Sequence, residues 1–65
     1  MKFEIGDRVR VVSALSPFYR WVGEVCGTYD GDFLSGVRQY DVMVDALPDA
    51  EQPLLFDETS LAFSE

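Results

Sequence analysis

Leu15-Ser16-Pro17-Phe18-Tyr19-Arg20-Trp21 gathers three aromatic side chains, a proline and an arginine into seven positions. Their chemistry is recognition rather than bond-making. Tyrosine and tryptophan offer large, stiff apolar area with a polar tip, and with arginine they dominate binding hot spots. The same residues also have a structural use, because Phe18 or Trp21 can fold back to close one end of a small core. Tyr19 and Arg20 are the members expected at the surface. Phe33 and Leu34, at the tip of a turn-rich stretch, are expected to extend the same binding face.

Catalytic readings find less support. The chain has no histidine, so the usual side chain for proton transfer near neutral pH is missing and histidine-based nucleophile systems are excluded within one chain. Its single cysteine, Cys26, provides neither an intrachain disulfide nor a cysteine-rich metal site. Cys26 is expected as a buried or half-buried apolar thiol, with only Glu24 nearby and no cation to activate it. Asp30-Gly31-Asp32 opens like a calcium loop but continues with Leu34 where a ligand belongs, and it reads as a turn. Asp41 and Asp45 lie four residues apart on one strand face, about 13 Å at the usual rise, which is too far for paired acid–base work. No enzyme activity, cofactor or metal is expected.

The elements that must position the aromatic loop follow a period of two. Val9 and Val11 alternate with Arg8 and Arg10, predicting a half-buried strand that is entered through a turn at Gly6-Asp7. Pro17 interrupts any strand after it. Trp21–Tyr29 reads as a second strand whose glycines, Gly23 and Gly27, suggest a bulge. Asp30–Gly36 is a hairpin connection with an Asp-Gly turn signal. Arg38–Asp45 is the clearest alternation, with Tyr40, Val42 and Val44 on one side and Gln39, Asp41, Met43 and Asp45 on the other. A polar loop bounded by Pro48 and Pro53 follows. Leu54–Phe56 is then a short strand, Asp57–Ser60 a tight helical turn and Leu61–Phe63 a last strand. The expected core is Ile5, Val9, Val11, Val25, Tyr40, Val42, Val44, Leu54, Phe56 and Leu61.

These signals predict one all-β domain, residues 1–65, a small barrel of about five strands. Sixty-five residues bury only a modest share of their surface, so the barrel is expected to be marginal alone and to gain from a partner or a second copy of itself. Phe33, Leu34, Met43 and Leu55 are the apolar positions that suggest a homo-oligomer. No apolar run is long enough to span a bilayer, and the first residues lack a signal-peptide pattern, so a cytoplasmic protein is expected.

The formal charge of −7 is unevenly placed. Residues 1–38 hold five basic and five acidic side chains. Residues 39–65 hold seven acidic side chains and no basic one. Such a balance repels a phosphate backbone, so nucleic acid is not an expected partner. The four arginines, Arg8, Arg10, Arg20 and Arg38, are the material for any local basic patch, and the acidic half is a solvated face or a docking face for a basic partner.

Gly6-Asp7-Arg8-Val9-Arg10-Val11, then Val22-Gly23-Glu24-Val25 after the aromatic loop, then Tyr40-Asp41-Val42-Met43-Val44 and Leu54-Leu55-Phe56-Asp57-Glu58-Thr59-Ser60-Leu61, resembles the SH3-like barrels of the electron-transport accessory group. The resemblance covers nearly the whole chain and implies a compact SH3-like barrel serving as an accessory or interaction module. The chain is also similar in size and opening to the type II dihydrofolate reductases. Their closing-strand Val-Gln-Ile-Tyr run is replaced here by Pro53-Leu54-Leu55-Phe56, so no catalytic residue carries over. The expected function is a non-enzymatic protein-interaction module, binding through Phe18, Tyr19, Arg20, Trp21, Phe33 and Leu34. The alternatives are a symmetric homo-oligomer with a small-molecule site at its interface and an acidic protein that covers a basic surface.

Overall fold

The structure is a computed structural model that describes residues 2–31, 36–49 and 51–64. It is all-β. Five antiparallel strands run in the order β4-β3-β2-β1-β5. They are β1 (Arg8–Val11), β2 (Val22–Tyr29), β3 (Gln39–Val44), β4 (Leu54–Asp57) and β5 (Leu61–Phe63), with a single 3-10 turn, Glu58–Ser60, between the last two.

That turn dictates the shape. In a flat sheet of this order β4 and β5 would lie about 19 Å apart, four spacings of about 4.8 Å. Three residues of 3-10 turn rise only about 6 Å. The sheet therefore curls to bring the start of β5 near the end of β4, although these two edge strands do not pair with each other. A bulge in β2 helps it bend, because the β2–β3 register slips between Val25 and Gly27 and leaves Cys26 without a ladder partner. Gly23 sits where β3 passes very close, and a Cβ there would collide with the Met43 carbonyl and the Val42 side chain.

Alternation decides what the curl encloses. Val9 and Val11 of β1, Val25 of β2, and Tyr40, Val42 and Val44 of β3 all face inward and are buried with Phe3, Phe56 and Leu61. Leu54 is only partly buried, packed against this core. One expectation fails outright: Ile5 is 68% exposed and Phe3 takes the core position instead. The reason is a turn. Asp7 N–H donates to the Glu4 carbonyl at 3.0 Å, Glu4 N–H donates to the Asp7 carboxylate at 2.9 Å, and Gly6 adopts φ +98°. β1 thus starts at Arg8, and the reversal folds Phe3 back against Tyr40, the ring centroids 5.2 Å apart. Tyr40 locks this end further. Its hydroxyl donates to Glu58 Oε2 at 2.7 Å and accepts from Phe3 N–H at 3.5 Å. Burial, then the Glu58 bond, raises its pKa above 10.

Cys26 also departs from expectation. The bulge turns it outward, and it is exposed, its thiol 3.6 Å from the Asp41 carbonyl. Loss of hydration and the Asp41 carboxylate raise its pKa, the opposite of nucleophile activation.

Candidate functional site

The β1–β2 connection is wound into successive turns rather than left loose. Ser16 N–H donates to Ser13 O, Tyr19 N–H to Ser16 O and Trp21 N–H to Phe18 O, while Ser16 Oγ accepts from Phe18 N–H. The loop is tied back to β1 by Arg20 N–H to Val11 O and Val11 N–H to Trp21 O, each at 2.9 Å. Val12 N–H donates to Ser60 O at 2.8 Å, which joins this corner to the 3-10 turn.

This winding divides the aromatic loop into two layers. Phe18 and Trp21 pack on the core as edge-to-face partners with centroids 5.0 Å apart, and Phe18 meets Phe56 at 5.9 Å. Tyr19 stays 43% exposed, and the Arg20 guanidinium lies over its ring, 5.4 Å from the centroid. Phe33 and Leu34, the other two expected members, lie outside the described residues.

Tyr19 and Arg20 form one wall of a groove of about 500 Å³, lined also by Arg10, Val11, Val12 and Val22. Arg10 and Val22 are cross-strand partners on the outer face of β1 and β2, which explains their presence there. Arg20 holds φ +72°, the sole non-glycine residue in the left-handed region among those described. No side-chain property of arginine favours that conformation, and such residues persist where their surroundings impose them, often at functional sites.

The electrostatics separate this corner from the rest of the surface. Arg8 donates through both terminal nitrogens to Asp45, and Arg38 pairs with Asp30 at 2.9 Å. Neither Arg10 nor Arg20 makes an ion pair with any described residue. The hydrogen bond to Arg8 and its charge hold the Asp45 carboxyl below the usual carboxylate range. On the acidic half, Asp41 accepts from the Tyr29 hydroxyl at 2.5 Å, Asp57 from Gln39 at 3.1 Å and Glu58 from Tyr40. With Asp45, four of the seven carboxylates of residues 39–65 are engaged within the fold. The two halves of the sequence are therefore not two faces of the molecule.

Sequence reasoning named Tyr19 and Arg20, but missed Val12 and Val22 and did not separate Arg10 from the other arginines. The outward alternation of Arg8 and Arg10 was the available signal for Arg10. Among the described residues no three metal-ligating side chains come together, and no helix is long and apolar enough to cross a membrane. No protein-family model matches the chain, and neither a curated protein nor a solved structure matches it.

Proposed function

We propose that the chain is an SH3-like barrel acting as a cytoplasmic protein-interaction module, and that it docks a partner segment in the groove between β1 and the 13–20 loop. The observation that carries this reading is the sorting of the aromatic loop. Phe18 and Trp21 serve the core, whereas Tyr19 and Arg20 are held out over the groove by backbone hydrogen bonds and a left-handed residue. A rigid, partly apolar groove with a few polar groups at its rim is the usual form of a recognition site. The five antiparallel strands, with a 3-10 turn between β4 and β5, support the small all-β part of this reading.

The test is selection of ligands from an unbiased displayed library of linear peptides, followed by backbone amide mapping of the winners. Shifts confined to residues 10–22, and lost in Tyr19→Ser, support the module. Selected peptides that map elsewhere, or none selected at all, refute it. A Phe18→Ala variant separates the layers, because it lowers the melting temperature through lost packing.

A further inference from the structure

Resting on that reading, we infer that the groove is specific for acidic segments: Arg10 and Arg20 form a carboxylate-binding rim that takes aspartate or glutamate side chains of a linear protein partner, with Tyr19 as the apolar platform beside them. Two independent observations point this way. Arg10 and Arg20 are the arginines without an internal carboxylate among the described residues, although the chain carries twelve acidic side chains. Both line the same groove.

Arginine's planar fork matches a carboxylate, and such charge-assisted hydrogen bonds are stronger than neutral ones. Exposed arginines in an acidic protein would readily collect a carboxylate from their own chain. Arg8 and Arg38 do so, through Asp45 and Asp30. At Arg10 the directly opposed cross-strand neighbours are Val22 on one side and Ala62 on the other, neither of them acidic, and Asp45, bonded to Val22 in the same row, is taken by Arg8. At Arg20 the left-handed backbone and the stack on Tyr19 hold the guanidinium at the groove.

The chain's charge of −7 does not prevent this. At physiological ionic strength charges beyond about 8 Å are screened, so the nearest arginines govern a bound carboxylate. The same charge disfavours nucleic acid, whose affinity grows with the number of phosphates neutralised. Two cations suit a short peptide with one or two acidic side chains.

The experiment measures binding of a fluorescein-labelled, C-terminally amidated hexaglutamate by anisotropy in buffer of physiological ionic strength, where the remaining charge is screened. Saturable binding is expected. Arg10→Gln and Arg20→Gln should each weaken it about tenfold, as loss of a charge-assisted hydrogen bond does. Arg8→Gln and Arg38→Gln should leave it within about twofold, as exposed pairs of low value. Arg20→Gly must also lose binding while folding at least as well as the parent, which excludes misfolding as the cause. Equal losses at all four arginines would reduce the effect to diffuse charge and overturn the proposal. So would an absence of saturable binding, tighter binding of labelled hexathymidylate, or competition by inorganic phosphate as effective as by unlabelled hexaglutamate. Library peptides that map to residues 10–22 but carry no acidic residue would refute the carboxylate rim and leave the interaction module standing. Acidic peptides that bind but map away from those residues would refute both.

Discussion

Arg8 and Arg10 stand two residues apart on the same outward face of β1, yet they sit in different chemical worlds. Arg8 lies opposite Glu24 and is closed by Asp45. Arg10 lies opposite Val22 and is open to the groove beside Tyr19 and Arg20. Residue type does not make this difference. It comes from what the fold brings alongside: the Asp45 carboxylate reaches Arg8, whereas Tyr19 and Arg20 of the wound 13–20 loop lie beside Arg10. The contrast teaches that in a small acidic protein the informative charge is the one left without a partner. It also assigns the two ends distinct duties. The end that holds Arg8, Phe3 and Tyr40 is occupied with packing and pairing within the fold, and the end that holds Arg10 and Arg20 is left available.

The sharpest way to break that division is to damage the closed end. Phe3→Ala removes a fully buried ring packed on Tyr40 and Phe63, and should cost about 3–5 kcal/mol in denaturant unfolding. That is most of the stability of a domain this size. A loss below about 1 kcal/mol would mean that Phe3 is not a core residue.

Gly23→Ala comes next. It forces β2 away from β3 and should cost about 1–3 kcal/mol as overpacking. Peptide binding by the folded fraction should be retained.

Tyr40→Phe should cost about 1 kcal/mol, through loss of its hydrogen bond to Glu58. It also has a pH signature. The folded-state pKa of Tyr40 lies above the ordinary value of 10, so its contribution is complete below pH 10 and is lost as pH climbs through the raised value. Alkaline melts should converge for the parent and Tyr40→Phe. A gap that widens with pH would contradict the assignment.

The open end should respond in the opposite sense. Arg20→Gly removes an unfavourable left-handed arginine and should raise stability by about 0.5–1 kcal/mol while weakening ligand capture. If it destabilises the fold, Arg20 is part of the scaffold and the division between the two ends fails.

The smallest effect belongs to the Arg8–Asp45 pair, which is exposed and screened. Its sign is fixed by the lowered pKa of Asp45. The stabilisation is present above the ordinary carboxylate value of 3.8 and disappears as pH falls through the folded value. Asp45→Asn should therefore melt slightly below the parent at neutral pH and match it in strong acid.

How far the sequence foretells this molecule depends on the range over which each feature is determined. The alternation of Tyr40, Val42 and Val44 against Gln39, Asp41 and Met43 is local, and burial follows it residue by residue. The 3-10 turn and the short strands on either side of it are equally local. Ile5 misleads because its parity matches Val9 and Val11, and parity counts only in an unbroken strand. The Gly6 turn resets it in favour of Phe3. The aromatic loop was legible as a cluster with Tyr19 and Arg20 expected at its surface, but that Phe18 and Trp21 both pack below depends on the hydrogen bonds that wind it. The open state of Arg10 is not local at all. It arises because Asp45, 37 residues further along, reaches Arg8 instead.

The central claim is that the open end of β1 is the binding end, and one titration addresses it directly. Arginine side-chain Nε–Hε resonances of the folded protein report all four guanidiniums at once as hexaglutamate is added. The account predicts saturating shifts at Arg10 and Arg20 with a common midpoint, and stationary signals at Arg8 and Arg38. Shifts of equal size at all four, or shifts led by Arg8, would contradict it.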